Sequence, residues 1–255
     1  MNSISIVTIC YNAEKEIEKT LKSVLDLDYD KIQYIIIDGL SKDKTNDIIK
    51  KYIPRLEGKN IEVVYISERD RGIYDAMNKG IELATNEWIN FMNAGDTFSD
   101  EKVLKDIFGS SQYEDVDIIY GNANYVTNGV KRLRIPSKLD KMYFYMALCH
   151  QSIFTRTSSC KEHKFNTKYR IAADYHMFLC FYINNYRFKY VNRVISDFCT
   201  DGVSNTKPLE ALKEDRMVRK DVIKKDVFLL YRIAGDAHVF ISRCIESFMY
   251  RRNNK

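Results

Sequence analysis

WINFMNAGD, Trp88 to Asp96, is the stretch from which the fold can be read. Its apolar run of Trp88, Ile89, Phe91 and Met92 predicts a buried strand, and Asn93-Ala94-Gly95-Asp96 is a turn sequence that stops it. A single carboxylate, Asp96, is left at the carboxyl end of that strand. In open α/β sheets this is the edge where ligands bind.

Working outward, three strand-helix units precede it. Ser3 to Cys10 is a β-branched run; Tyr11-Asn12 then turns into a helical pattern with Ile17, Leu21, Val24 and Leu25 at i, i+4, i+7 and i+8. Gln33 to Ile37 ends in Asp38-Gly39, and Ser41 to Thr45 leads into a helix through Ile48, Ile49 and Tyr52. Ile61 to Ile66 makes a third strand, and Gly72 to Ala84 a helix with Ile73, Met77, Ile81 and Ala84 on one face. Such alternation implies an α/β fold, a Rossmann-like, mostly parallel sheet with right-handed crossovers and helices on both faces.

After Asp96 the order changes. A helix is expected at Asp100 to Phe108, a strand at Val116 to Tyr120, and a hairpin at Ala123 to Ile135 around Asn128-Gly129. Leu139 to Leu148 reads as a helix and Ser152 to Thr155 as a strand. Asp174 to Asn184 reads as an apolar helix with an acid at its amino end, and Tyr190 to Phe198 as a strand. From Leu209 the pattern is helical, interrupted near Gly235.

At 255 residues the chain can bury one large core, and 10 Gly with 3 Pro leave little room for long linkers. The six cysteines (Cys10, Cys149, Cys160, Cys180, Cys199, Cys244) show no zinc spacing, so reduced thiols and a cytoplasmic location are expected. The amino terminus has no basic segment of the signal-peptide kind, and no apolar run reaches bilayer length. Of the net charge of +5, residues 210 to 255 supply +4, with 11 Lys/Arg against 7 Asp/Glu. The basic excess belongs to that segment, and no nucleic-acid partner is expected.

Asp38, Asp70 and Asp96 follow strands, so three carboxylates can converge on one cleft, with Asp174 further on. Clustered carboxylates repel unless a divalent cation, sugar hydroxyls or a basic partner joins them. Asp38 and Asp70 read equally well as turn and capping residues. Neither GxGxxG nor GxxxxGK[ST] occurs, so a nucleotide would be held through side chains. Lys42, Lys44, Arg69, Arg71 and Lys79 surround the edge and can neutralise a diphosphate or stay solvated.

Taken together, IVTICYN (6–12), IIIDGLSKDKT (35–45) and ERDRGIYDAMNKGIELATNEWINFMNAGD (68–96) resemble the nucleotide-sugar half of family 2 glycosyltransferases of the GT-A fold. The resemblance covers roughly residues 3 to 110 and is to the subgroup of polysaccharide and O-antigen assembly. It implies a GT-A domain over 1–208, with a nucleotide-sugar half (1–110) and an acceptor half (111–208), followed by a basic helical tail (209–255). It implies an inverting, hexosyltransferase-type reaction from a UDP-sugar donor to a hydroxyl of a glycan or lipid-linked acceptor. Thr8 and Tyr11 would lie beside the base, Asp38 on base or ribose, and Asp70 and Arg71 near the nucleotide. Asp174, in YRIAADYHMF, would be the general base that takes the acceptor's proton; as a helix N-terminal acid it would contribute only about 0.3–1 kcal/mol of stability. His150-Gln151 resembles a short segment lining the acceptor or diphosphate side, and equally suits a hydrogen-bonded structural histidine. Arg170 can pair with a carboxylate or reach phosphate.

The resemblance departs at its acidic motif. The family's D-x-D-D stands here as Asn93-Ala94-Gly95-Asp96, with Asp96 alone as metal ligand. Mg²⁺ or Mn²⁺ needs only one or two protein carboxylates when phosphates and waters complete its shell, so weak or conditional metal binding is expected. Asn93 can accept from a ribose hydroxyl or water. The depleted motif also suits a non-catalytic nucleotide-sugar or glycan-binding partner. Finally, 222–231 and 237–250 mix apolar and basic residues, as in an amphipathic helix on the anionic inner face of a membrane; packing on the core or a second subunit is the alternative.

Overall fold

The computed structural model describes residues 2–110, 113–200 and 208–223. The amphipathic stretches at 222–231 and 237–250, save Val222 and Ile223, and the break near Gly235 lie outside the described residues, as does Cys244.

The chain sorts into two compact units. One comprises Met1–Pro136, Leu148–Phe165 and Tyr186–Thr200; the other comprises Ser137–Ala147, Asn166–Asn185 and Asp201–Lys255. The first contains a nine-stranded sheet. β1 (Ile4–Cys10), β2 (Ile32–Asp38), β3 (Glu62–Ser67) and β4 (Trp88–Phe91) run parallel in the order β3-β2-β1-β4. They are joined by α1 (Ile17–Leu25), α2 (Thr45–Glu57) and α3 (Ile73–Leu83). The order continues β4-β8-β6-β9-β5, with β5 (Thr97–Phe98), β6 (Ile118–Thr127), β8 (Ile153–Arg156) and β9 (Phe188–Cys199), while β7 (Val130–Arg134) pairs with β6 as a hairpin. β8 is antiparallel to both β4 and β6, whereas β9 is parallel to β6. The sheet takes strands from both sides of residue 110.

Every residue of β1 and β2 is buried. Strands covered on both faces read as continuous apolar runs, which is why these two stand out in the sequence. Ile4, Ile6, Tyr34, Ile36 and Trp88 share one core with Ile17, Leu21, Val24 and Leu25 of α1 and Ile49, Tyr52 and Leu56 of α2. On the opposite face Val7 meets α3, where Gly80 lets the helix approach: a Cβ added there would stand 2.4 Å from Val7 Cγ1. β1 has β2 on one side and β4 on the other, so the chain reverses direction across it. The carboxyl ends of β1 and β4 flank that switch point, the place where open sheets leave a crevice.

Two short elements escape the sequence pattern: β5, and α5 (Thr157–Glu162). The second unit contains α6 (Ala173–Ile183) and α7 (Pro208–Val222). The helix expected over Leu139 to Leu148 is a 3₁₀ turn, Leu139–Tyr143, and then irregular. The carbonyls a helix would use are taken: Tyr175 Oη donates to Met142 O (2.8 Å) and Arg219 to Phe144 O (2.7 Å). α7 lies at the start of the expected tail and is grouped by its contacts with α6.

Gly80→Ala tests the helix-sheet contact. Overpacking against the buried Val7 costs about 1–3 kcal/mol, more than the ~1 kcal/mol that alanine gains over glycine in a helix. A lowered thermal midpoint is expected, and a midpoint at or above wild type would refute the close approach.

Candidate active site

The rim at the ends of β1 and β2 is built by two loops bonded to each other. Asn12, at φ 49°, a left-handed conformation that Asn tolerates, donates its N–H to Ser41 Oγ (2.8 Å). Its Oδ1 accepts from Lys42 N–H (2.9 Å). Ala13 N–H donates to Thr45 Oγ1, Glu14 N–H to Asp43 Oδ2, and Lys44 N–H to Glu14 Oε2. Asp43 also accepts from Thr45 N–H (3.0 Å) at the start of α2. Most polar residues of DGLSKDKT thus hold the rim together.

Asp38 and Thr8 lie beneath this rim, both fully buried. Asp38 accepts from Ser41 Oγ and N–H, from Ser67 Oγ (2.6 Å) and from the Cys10 thiol (3.7 Å). Thr8 Oγ1 donates to Met92 O (2.7 Å) and shares a hydrogen bond with Tyr34 Oη (2.9 Å), pinning β1 to β4 and β2. Burial, together with the charge of Asp38, holds the Cys10 thiol well above its usual range. Neither Thr8 nor Asp38 presents its side chain to solvent, so the contacts that the resemblance gives them with a base would have to pass through their neighbours.

Tyr11, by contrast, is 60% exposed. It and Asp70 meet over Gly39: a Cβ on Gly39 would lie 2.6 Å from Asp70 Oδ2 and 3.3 Å from Tyr11 Cδ2. Asp70 Oδ1 accepts from Gly72 N–H (2.9 Å). Arg71, with its side chain 89% exposed, is steered by Asp75, which accepts from its N–H (2.9 Å) and its guanidinium (3.2 Å). The remainder of GIYDAMNKG is packing. Asn78 exchanges two 2.9 Å hydrogen bonds with the backbone of Phe165, and Tyr74 lies 5.4 Å from that ring. Among the other rim cations, Lys79 donates to Arg69 O and pairs with Glu68.

The end of β4 lies alongside, since Ala94 N–H donates to Ile9 O (3.2 Å). Asn93 to Asp96 form a turn closed by Asp96 N–H to Asn93 O (3.0 Å), with Gly95 at φ 102°. The positive φ at the third position is what a type II turn asks of glycine. Thr20 of α1 accepts from Gly95 N–H and donates to Asp96 O. Asp96 itself is only 5% exposed; its Oδ2 accepts from Gln151 Nε2 (2.8 Å) and its Oδ1 from Cys199 N–H (2.8 Å). Burial pushes its pKa up to about 7, against the opposing pull of those two hydrogen bonds and of Lys19.

Gln151 is the group that sequence patterns undervalue beside His150. Its carbonyl also accepts from Asn90 Nδ2 (3.0 Å), so the WINFMNAGD strand holds it twice. His150 is 8% exposed, its ring 5.3 Å from Phe91 and 5.7 Å from Phe165. The pair HQ was the available signal, but the tie to Asp96 runs through the glutamine.

Residues for a hard cation are few but chemically suited. Asn93 Oδ1 is a buried oxygen with no hydrogen-bond partner among the described residues, and it shares one turn with the Asp96 carboxylate. Both are oxygen donors of the kind Mg²⁺ and Mn²⁺ prefer.

In the second unit Asp174 stands in the first turn of α6, its Oδ1 accepting from Tyr175 N–H (2.8 Å). Arg170 precedes it, with its N–H donated to Glu214.

Asp96 makes stability depend on pH with a definite sign. Below about pH 4 the carboxyl is protonated in folded and unfolded chains alike. Between about 4 and 7 the unfolded chain ionises while the folded one keeps its proton, so stability falls as pH rises and levels off above 7. At ~1.4 kcal/mol per unit over about three units, the loss reaches at most ~4 kcal/mol. Without divalent metal, wild type should lose stability relative to Asp96→Asn between pH 5 and 8; parallel denaturation curves across that range would refute the buried, weakly acidic carboxyl. Asp43→Ala should cost about 1–2 kcal/mol through its lost bonds to the Thr45 and Glu14 N–H groups, read as a drop in denaturant midpoint at unchanged slope.

A sequence profile described as Glycosyl transferase family 2 matches residues 5–187. A PGL/p-HBAD biosynthesis glycosyltransferase of Mycobacterium bovis (strain BCG / Pasteur 1173P2) is 28% identical over 211 residues, 79% of each chain. The putative teichuronic acid biosynthesis glycosyltransferase TuaG of Bacillus subtilis (strain 168) is 36% identical over 104 residues, 41% of this chain and 40% of that protein. Among solved structures, S. aureus TarS 1-349 in complex with UDP-GlcNAc is similar at a TM-score of 0.69 and 18% identity, covering 93% of this chain and 71% of that one. The mannosyltransferase PcManGT from Pyrobaculum calidifontis, in complex with GDP-Man and Mn²⁺, is similar at 0.68 and 14% identity, covering 96% and 75%. These likenesses bear out the GT-A fold that the sequence resemblance implies. With a family profile spanning most of its length, the chain belongs to glycosyl transferase family 2 and is a glycosyltransferase.

Proposed function

We propose that this glycosyltransferase moves a sugar from a UDP-linked donor, with inversion, to a hydroxyl of a glycan or lipid-linked saccharide in surface polysaccharide assembly. The observation that carries the donor half is the meeting of exposed Tyr11 and Asp70 over Gly39 at the strand-end edge, with the Asn93–Asp96 turn bonded to β1 beside it. The printed names of the relatives, in PGL/p-HBAD and teichuronic acid biosynthesis, and the UDP-GlcNAc complex of TarS support the substrate classes.

In this reading the Tyr11 ring stacks on the base and Asp70 accepts from a ribose hydroxyl. Thr8 and Asp38 act from below, fixing the strand ends. The Arg71 guanidinium, extended into solvent, meets the diphosphate. Asn93 Oδ1 and Asp96 would hold Mg²⁺ or Mn²⁺, which when bound offsets the charge of the departing diphosphate. His150 acts through its tilted and edge-to-face contacts with Phe91 and Phe165, shaping the acceptor or diphosphate side without direct contact. Asp174 takes the proton of the acceptor hydroxyl as that oxygen bonds to the anomeric carbon and the bond from that carbon to the diphosphate breaks. Among the described residues no helix is long and apolar enough to cross a bilayer. A cytoplasmic, peripheral attachment through the basic segment beyond Ile223 completes the proposal.

A thermal-shift panel of uridine, guanosine and thymidine diphosphate sugars, with and without Mn²⁺, tests the donor half. A ligand at 100 times its Kd adds ~2.7 kcal/mol, which is several degrees for a chain of this size. A UDP-sugar should give the largest shift, and the absence of any shift across the panel would sink the reading. Asp174→Asn should keep the donor shift and lose turnover by about 10²-fold or more; near-full turnover in a folded variant would remove Asp174 as the base. A non-catalytic binder would show the donor shift without slow hydrolysis of the nucleotide sugar.

A further inference from the structure

Resting on Asp174 as the base, we infer that Glu214 of α7 is the positioning residue for the base-bearing segment. Its carboxylate accepts from three successive backbone N–H groups immediately before α6: Oε1 from Arg170 (3.0 Å), Oε2 from Ile171 (2.8 Å) and from Ala172 (3.0 Å). Successive amides aimed at one point make an anion-binding concavity, and here the anion is a side chain from elsewhere in the chain. Bonds to an ionised acceptor are about twice as strong as neutral ones. Without Glu214, the part-buried N–H of Ala172, a residue 3% exposed, would lose its acceptor.

Nothing else in the sequence accounts for the arrangement. α6 has no side-chain cap at its amino end, and its N-cap position is Ala172. An alanine there cannot fix the entry of the chain, whereas a serine, threonine or aspartate would. Glu214 supplies the restraint from outside, one residue short of the helix. Asp174 lies two residues beyond the last clamped amide, so the path of 170–172 sets where the first turn of α6 begins and how Asp174 is presented. Lys168 and Tyr169, just upstream, are bonded to Asp221 of the same helix, Tyr169 Oη at 2.7 Å and Lys168 Nζ at 2.5 Å. α7 therefore grips the whole approach to the base and positions it.

Full-length Glu214→Ala, Glu214→Gln and Glu214→Asp separate positioning from general stability. Glu214→Ala should lower kcat by about 10- to 100-fold, the scale of a misplacement near 1 Å, while KM for the donor and the donor-induced thermal shift stay within twofold of wild type. Glutamine keeps an oxygen that can serve Ile171 and Ala172, leaving only the exposed Arg170 amide to water, so Glu214→Gln should stay within about threefold of wild-type kcat. Aspartate keeps the charge but is a methylene too short to reach all three amides, so kcat of Glu214→Asp should fall below that of the glutamine variant. That ranking carries the test if the alanine variant does not fold. Wild-type kcat in both Glu214→Ala and Glu214→Asp, or a kcat loss matched by an equal loss of donor binding, would overturn the inference. Asp174→Asn in parallel separates the two ideas: if it retains turnover, the base assignment fails and this inference with it. If it is inactive while Glu214→Ala is as active as wild type, only the positioning role fails.

Discussion

The constraint on which the sheet-bearing unit depends is the burial of one carboxylate. Asp96 ends the β4 turn, and its two oxygens are met by Gln151 ahead of β8 and by the Cys199 N–H at the end of β9, while its carbonyl receives Thr20 of α1. Three segments far apart in the chain are thereby referred to a single residue. An ionised carboxylate without such partners would cost far more to bury than a fold of this size can bear. Even with them, desolvation wins over two hydrogen bonds and Lys19, which is why the pKa stands near 7.

The burial of Asp96 bears on the thin acidic motif as well. A carboxylate in place of Asn93 or Gly95 would put a second negative charge on the same tight turn and drive Asp96 further toward its neutral form. Position 95 has a backbone reason as well, since φ of 102° strains any residue with a Cβ. A protein that seals its last acid inside the sheet is better served by a neutral oxygen donor at 93 and by glycine at 95. In the proposed reading, the charge of a diphosphate falls to a cation or to solvent-facing groups such as Arg71, outside the low-dielectric floor.

The first half of the fold was legible because β1 and β2 are apolar throughout and α1 to α3 keep strict helical spacing. β8 was legible as a strand but not in its place: its insertion between β4 and β6 pairs Trp88 with Arg156 and Ile118 with Thr155, residues far apart in sequence, and no local pattern records it. The 139–148 segment misled because its carbonyls are claimed by Tyr175 and Arg219, both remote in sequence. In the site, motif residues were legible as a set while their duties were not. Asp43, Asn78 and Ser41 lie within the motif stretches and are bolts between loops and helices. Gln151 is legible as part of the HQ pair but its tie to Asp96 is not, and Glu214 carries no local signal, because each acts on a distant partner and Glu214 acts only on backbone amides, which have no side-chain signature.

Net charge was the poorest guide to α7. The sum over residues 210 to 255 is basic, which suggests a solvated or membrane-facing segment, but the sum conceals how the charges are distributed around the helix. Glu214, Val218 and Asp221 recur at i, i+4 and i+7 and therefore share a face; Glu214 and Asp221 both bond to the approach to α6, and Val218 is fully buried. Lys213, Arg216 and Lys220 are exposed. Glu214 is turned toward the start of α6 because backbone N–H groups ahead of an uncapped helix need acceptors, and its carboxylate serves three at once; Glu210 and Asp221 are exposed, and the basic Arg219 is buried. α6, apolar around most of its circumference, is held laterally by packing, which does little to fix it along its axis; the carboxylate of Glu214 supplies the axial stop that packing cannot.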